Sequence, residues 1–120
     1  MRCDCGVVFE NHPEGRCLDS WLARHIMGWK EAEHIPSAWG IDPALGYECA
    51  WPRYSIYIAE AWALVERVPN MTLGHWTKAG IMNATIYLND GAIIVSADTA
   101  PLAICRCVAM WAALKKEETK

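Results

Sequence analysis

Three positively charged side chains in this 120-residue sequence lie beside aromatic residues or in predicted helices, where they could bind a phosphorylated ligand. They are Lys30, Arg53 and Arg106. Ammonium and guanidinium groups bind phosphate oxygens, backbone N–H groups at a helix N-terminus add donors, and aromatic rings stack on a purine base. The predicted ligand-binding residues are Trp29, Lys30, Arg53, Tyr54, Ser55, Asp98, Thr99 and Arg106.

Several of these residues also have a purely structural interpretation. Trp29 would hold the end of the first helix against the core, Tyr54 would be a core residue, and Arg53 and Ser55 would brace and cap the second helix. The sequence leaves both interpretations open.

Arg106 is the only charged residue between positions 99 and 114. A guanidinium in a helix that is apolar on all sides needs a partner or an opening to water. In one interpretation it pairs with Asp19, Glu60 or Asp98, and a bridge to Asp19 would fix the register of two helices. In the other it contacts a ligand phosphate, and the two roles are compatible.

The sequence offers little support for an enzyme. It contains no H-E-x-x-H motif, no G-x-S-x-G motif and no glycine-rich phosphate loop. A nucleophilic pair could be built from Cys17 with His12, His25 or His34, but the local sequence does not favour it. We therefore expect a protein without catalytic residues, and we expect His25 at the boundary of the core.

The six cysteines lack the C-x-x-C spacing that is typical of tetrahedral zinc sites. Cys105 and Cys107 would point to different sides of a helix, so they cannot hold one metal ion together. Cys3 and Cys5, with His12 nearby, could form half of a site. We expect reduced thiols, no metal site and no cofactor.

Composition and charge exclude some classes of partner. With a net charge of -3 and dispersed Lys and Arg residues, a nucleic-acid-binding surface is not expected. The longest uncharged run, residues 79–89, is shorter than the roughly 20 residues of a membrane-spanning helix, and the N-terminus does not resemble a signal peptide. We expect one cytoplasmic domain over residues 1–120, with no membrane partner.

Hydrophobic periodicity predicts three helices and a strand-rich region, which is an α+β fold. The helices are expected from Arg16 to about Met27, ended by Gly28, from Ser55 to Val68, and from Asp98 or Thr99 to Leu114. Strands are expected over 84–88 and 92–96, joined by the turn 89–91, and a weaker one over 71–78. Residues 31–53 are expected to be a long irregular segment whose Trp39, Tyr47 and Trp51 pack on the core or line a site.

Three stretches resemble the phage ABA sandwich domain family of tailed bacteriophages and prophages. They are GRCLDSWLARHIMGWK (15–30), PRYSIYIAEAWALVE (52–66) and ADTAPLAICR (97–106). The resemblance implies an α/β/α sandwich, a small antiparallel sheet with helices on both faces, and it brings no catalytic motif. The start with Cys3 and Cys5 and the segment 31–53 are not part of the family pattern.

The resemblance gives the binding hypothesis a setting in the cytoplasm of a host bacterium. Small phage proteins without catalytic motifs can sequester nucleotide immune signals, such as cyclic ADP-ribose derivatives or cyclic nucleotides, and so counter anti-phage defence. We expect a nucleotide-like ligand and a homo-oligomer. The alternatives are a structural or interaction module of the phage and an unrecognised nucleotide hydrolase.

Overall fold

The computed structural model describes residues 2–32, 39–68, 70–76 and 80–118. A 3-10 turn at Phe9–Asn11 precedes helix α1, Arg16–His25. Three short strands and a second helix follow, and then a hairpin-based sheet and a long last helix. These elements are β1 (Lys30–Glu31), β2 (Trp39–Ile41), β3 (Glu48–Ala50), α2 (Ile58–Val65), β4 (Met71–Trp76), β5 (Ile81–Leu88), β6 (Gly91–Ala97) and α3 (Ala100–Glu118).

Helix α1 begins where the sequence predicts and ends at His25, two residues before the predicted Met27. Its apolar stripe buries Leu18, Trp21 and Leu22, the spacing of an amphipathic helix. Gly28 has a φ of 80°, which turns the chain back so that the N–H of Trp29 donates to the carbonyl of Ala23 (3.0 Å).

The segment 31–53 contains strands, and the expectation that it is irregular was wrong for its described part. Strands β1, β2 and β3 form an antiparallel sheet in that order, with Gly40 paired to both Glu31 and Cys49. Each of these strands is only two or three residues long. The alternation of apolar and polar residues that is typical of a strand cannot be recognised over two or three residues, so the sequence did not predict these strands.

The second sheet has the order β4-β5-β6 and is antiparallel throughout. Leu88 pairs with Gly91, so Asn89 and Asp90 form the two-residue turn of the predicted hairpin. Strand β6 alternates buried and exposed residues, with Ile93 and Val95 inside and Ile94 67% exposed. One face of this sheet is therefore covered and the other faces solvent.

Helix α3 is the central layer of the fold. It packs against β5 and β6 on one side, and it also packs against α1 and α2. Residues 101–105 and 107–109 are all buried, as expected for a helix that is apolar all round. The α+β class is confirmed. Helix α3 offers apolar surface to the sheet and to the other two helices at once.

The second helix begins three residues later than predicted. The backbone turns once over residues 53–57, and α2 starts at Ile58. Ser55 does not cap it, since the hydroxyl of Ser55 accepts a hydrogen bond from the N–H of Gly15 instead. None of the helices in the described ranges is long and apolar enough to span a bilayer.

Candidate functional site

A pocket of about 270 Å³ lies between the first turn of α1, strands β2 and β3, and the segment that precedes α2. Two guanidinium groups and two indole rings border it, together with one buried carboxylate. Its lining residues are Arg16, Asp19, Trp39, Ala50, Trp51 and Arg53.

A pair of hydrogen bonds fixes the inner wall of this pocket. The backbone N–H of Ser55 donates to Oδ1 of Asp19 (2.8 Å), and the N–H of Gly15 donates to Oγ of Ser55 (2.9 Å). Ser55 is fully buried and Asp19 is only 2% exposed. These bonds hold the first turn of α1 against the segment before α2, so they set the position of both arginines that flank them.

Asp19 carries an electrostatic cost in this position. Burial raises the pKa of its carboxyl group to about 6, although the hydrogen bonds from Ser55 and the charge of Arg53 oppose the rise. A carboxyl group with a perturbed pKa that borders a pocket is a common mark of a functional site.

The indole of Trp51 forms another wall and rests directly on the backbone of β2. A Cβ atom at Gly40 would overlap the six-membered ring of Trp51, so only glycine permits this approach. Trp29 packs behind Trp51, with ring centroids 5.7 Å apart. Trp51 is 5% exposed, and its indole N–H has no hydrogen-bond partner in the described part of the chain.

Trp39 and Arg53 are more open to solvent than Trp51. Trp39 is 40% exposed, so part of its ring is accessible to a ligand. The backbone N–H of Arg53 donates to Oε2 of Glu60, and its guanidinium lies 6.0 Å from the ring centroid of Tyr57. Within the described ranges, neither Arg53 nor Arg16 is held by an ion pair with a carboxylate.

The structure separates the predicted ligand-binding residues. Arg53 lines the pocket, whereas Tyr54, Ser55 and Trp29 are buried around it and support it. Burial raises the pKa of the Tyr54 phenol, which stays neutral. Lys30 is exposed in β1, outside the lining residues.

Asp98 and Arg106 border a different cavity, of about 190 Å³, between β6 and the start of α3. Thr99 caps α3, since its hydroxyl accepts a hydrogen bond from the N–H of Leu102 (3.4 Å).

The expected ion pair between Arg106 and Asp19 is not formed. Nε of Arg106 donates to the carbonyl of His12 (2.7 Å), and Nη1 donates to the carbonyl of Ser96 (3.0 Å). Asp98 is close enough to favour the charged guanidinium, but burial dominates and lowers the pKa of Arg106. Arg106 therefore ties α3 to the N-terminal segment and to the end of β6.

Arg16 was missed by the sequence analysis, although a signal was present. The helix dipole disfavours a cation in the first turn of a helix. An arginine at this position therefore indicates a role other than stabilising the helix. Arg16 and Asp19 are three residues apart and share one face of α1. Asp19 was considered only as a partner for Arg106.

The nucleophilic pair that Cys17 could form with a histidine, which the sequence did not favour, is not seen with His25. His25 packs on Trp21 with ring centroids 4.3 Å apart and contacts Lys116, and burial lowers its pKa. His34 lies outside the described residues. Cys17 and His12 do lie in one cluster, but the polar contacts of Cys17 are with the thiols of Cys3 and Cys5.

The fold and the pocket define a small α+β protein with a cationic and aromatic pocket at the first turn of α1. The sequence model of the phage ABA sandwich domain matches residues 20–109, and the chain belongs to that family, as the resemblance predicted. Arg53 and Arg106 lie inside the matched range, whereas Arg16 and Asp19 precede it.

The fold is similar to that of a phage protein from Bacillus cereus ATCC 14579, whose crystal structure was determined at 2.0 Å. The TM-score is 0.68 and the two chains are 24% identical. The similarity covers 82% of this chain and 91% of that chain. No curated protein matches this chain.

Proposed function

We propose that this protein is a phage-encoded binding protein that sequesters a nucleotide-like ligand of the host's immune signalling without converting it. The observation that carries the proposal is the pocket at the first turn of α1, where Arg16 and Arg53 border a cavity that also exposes Trp39. Two cations and an accessible aromatic ring match the phosphates and the base of a nucleotide.

The chemistry of each wall supports this class of ligand. Arg16 and Arg53 present guanidinium groups that bind phosphate oxygens in a bidentate manner. The exposed part of Trp39 offers a face for base stacking. The carboxyl group of Asp19 is suited to accept a hydrogen bond from a ribose hydroxyl or a base amino group.

The size of the pocket fits one nucleoside phosphate unit. Ligand pockets of drug-sized molecules have volumes of roughly 300 to 1,000 Å³, and this pocket of about 270 Å³ lies just below that range. A larger ligand, such as a cyclic dinucleotide or an ADP-ribose derivative, would extend past Trp39 toward solvent.

We also expect the protein to form a homo-oligomer in the host cytoplasm. Helix α2 and the turn before it expose Tyr57, Ile58 and Trp62, each by about half. Large exposed apolar side chains that lie together are typical of protein contacts. Light scattering coupled to size exclusion measures the oligomeric state directly.

The test of the proposal is a thermal-shift and calorimetric series with ADP-ribose, cyclic ADP-ribose, ADP and cyclic di-AMP. We expect at least one of them to raise the melting temperature of the full chain. Arg16→Ala and Arg53→Ala should each weaken its binding by about 10- to 100-fold, as expected for a lost hydrogen bond to a charged group. Arg67→Ala, an exposed arginine outside this pocket, is the matched control and should bind normally.

The same series separates the alternatives. If Arg106→Ala weakens binding and Arg53→Ala does not, the ligand binds in the second cavity, between β6 and the start of α3. Mass spectrometry of the ligand after denaturation of the protein shows intact nucleotide for a sequestering protein and altered nucleotide for a hydrolase. If none of the probes produces a shift, the interaction module is favoured and the proposed function is rejected for these ligands.

A further inference from the structure

Four side chains with metal-binding atoms meet where the N-terminal segment contacts helix α1. They belong to Cys3, Cys5, His12 and Cys17, and their sulfur and nitrogen atoms all lie within 4.8 Å of one another. Sγ of Cys3 lies 3.6 Å from Sγ of Cys17, and Sγ of Cys5 lies 3.4 Å from Nε2 of His12. The pocket of the proposed function does not include any of the four.

The distances from Cys3 to Cys17 and from Cys5 to His12 are close to those of a tetrahedral zinc site. With Zn–S bonds of about 2.3 Å and Zn–N bonds of about 2.0 Å, neighbouring ligand atoms on a regular tetrahedron lie about 3.5 to 3.8 Å apart. The distances of 3.6 and 3.4 Å fall within or close to that range. A disulfide would need the sulfurs of Cys3 and Cys17 at about 2.05 Å, far shorter than their separation here.

The orientation of His12 is suited to metal binding. Its Nδ1 lies 2.8 Å from the carbonyl of Pro13. A carbonyl can only accept a hydrogen bond, so Nδ1 carries the proton and the lone pair of Nε2 points into the cluster. Histidine ligands of metals commonly donate their other ring N–H to a carbonyl in this manner.

The backbone around Cys3 and Cys5 forms a tight loop that presents both sulfurs. The N–H of Cys3 donates to the carbonyl of Val7 (2.9 Å), and the N–H of Gly6 donates to the carbonyl of Cys3 (2.9 Å). Gly6 has a φ of 91°, a conformation that favours glycine. The backbone N–H of Val7 also bonds to the Cys5 sulfur.

Cys17 supplies the fourth ligand from the first turn of α1. A bound dication would favour the thiolate form of Cys17. The N-terminus of α1 also favours negative charge at this position.

We propose that Cys3, Cys5, His12 and Cys17 bind one Zn²⁺ ion in a closed, tetrahedral, structural site. Four protein ligands leave no open position for substrate, which is typical of structural zinc. Three thiolates and one imidazole are soft donors that suit Zn²⁺ better than Mg²⁺ or Ca²⁺. The ion would fasten residues 3–12 to α1, and through the carbonyl of His12 to Arg106 on α3.

The cysteine spacing predicted no metal site, although Cys3, Cys5 and His12 were recognised as half of one; Cys17 was not connected to them. Cys3 and Cys5 are separated by one residue, and His12 and Cys17 are brought to them by the 3-10 turn and by α1. All four ligands precede residue 20, where the family match begins. The site is therefore inferred from this chain and not from its family.

The test uses the full chain purified under reducing conditions with ZnCl₂ and without chelator. We expect about one zinc ion per chain by inductively coupled plasma mass spectrometry. Replacement by Co²⁺ should produce thiolate-to-cobalt charge-transfer bands and the d–d bands of a tetrahedral site. Removal of the ion with a chelator should lower the melting temperature, and added ZnCl₂ should restore it.

Variants identify the ligands. Cys17→Ser and Cys5→Ser, both at exposed positions, should each lower the affinity for Zn²⁺ by at least about 10- to 100-fold. Cys49→Ser, in β3 and outside the cluster, is the matched control and should retain one ion. Circular dichroism shows whether a variant is folded.

Three results would each overturn the proposal. The first is a zinc content far below one ion per chain under these conditions, and the second is a cobalt spectrum without charge-transfer bands. The third is unchanged zinc affinity in a folded Cys5→Ser and a folded Cys17→Ser variant. No nucleotide is used, so the result is independent of the proposed function.

Discussion

Substitution of Asp19 by Asn should change how the stability of this protein depends on pH. The carboxyl group is 2% exposed, and its pKa rises from the ordinary value of 3.8 to about 6 because of burial. Asn keeps an oxygen that can accept the hydrogen bond from the N–H of Ser55. The variant therefore removes the charge and leaves the local contact in place.

The magnitude and sign follow from proton linkage. Between pH 4 and 6 the folded state keeps the proton of Asp19 while the unfolded state has lost it, so the free energy of unfolding falls as pH rises. A difference of about two pKa units corresponds to about 3 kcal/mol, fully lost above pH 7. Relative to the wild type, Asp19→Asn should gain about 3 kcal/mol between pH 4 and pH 7.

Urea unfolding of both proteins at pH 4, 5, 6, 7 and 8 measures this difference. Histidine titrations and other carboxylates contribute to both proteins and cancel when the two curves are subtracted. A difference that stays constant from pH 4 to pH 8 would refute the inference that burial raises the pKa of Asp19.

The same variant tests whether Asp19 faces a bound anion. Two like charges about 8 Å apart at an effective dielectric constant of about 20 repel by about 2 kcal/mol, roughly 30-fold in affinity. Cyclic di-AMP keeps a constant charge over this range, so its affinity for the wild type should fall as pH rises from 5 to 7.5. Asp19→Asn should not show this fall, and an equal fall in both proteins would place the anion elsewhere.

Three further substitutions test the pocket and the contacts of α3. Gly40→Ala should displace the ring of Trp51, weaken nucleotide binding and lower the free energy of unfolding in urea by about 1 to 3 kcal/mol. Unchanged binding and stability would mean that the ring has room to move. Thr99→Ala removes the hydroxyl that accepts the N–H of Leu102, and it should lower the free energy of unfolding by about 0.5 to 1 kcal/mol without affecting binding. Arg106→Leu removes two hydrogen bonds to carbonyls and should lower the free energy of unfolding by about 2 to 3 kcal/mol. A change near zero would show that water replaces both bonds.

The elements with strong periodicity were predictable, and those fixed by tertiary contacts were not. The β5-β6 hairpin has β-branched residues and an Asn-Asp-Gly turn, so both strands and their connection were found. Ser55 has the residue type of an N-cap, but Asp19 and Gly15 engage it from a helix that is distant in sequence. A local propensity cannot reveal a partner 36 or 40 residues away.

Only part of the candidate site was predicted, because some of its contacts also depend on partners that are distant in sequence. Trp39 and Trp51 were recognised as residues that pack on the core or line a site, and Arg53 as a phosphate contact. Arg106 was expected to pair with a carboxylate, yet its partners are backbone carbonyls, which every residue possesses. The residue types in the sequence therefore could not show that Arg106 binds the carbonyls of His12 and Ser96.

The first turn of α1 connects the pocket to the N-terminal segment. Arg16 and Asp19 line the pocket, while Cys17, on another face of the same turn, lies in the cysteine and histidine cluster. Successive residues of a helix point about 100° apart, so one turn can serve both sites. The family match begins at residue 20, after this turn. This turn supplies one arginine and the buried carboxylate of the pocket, and it is where the proposed metal ion would hold them in place.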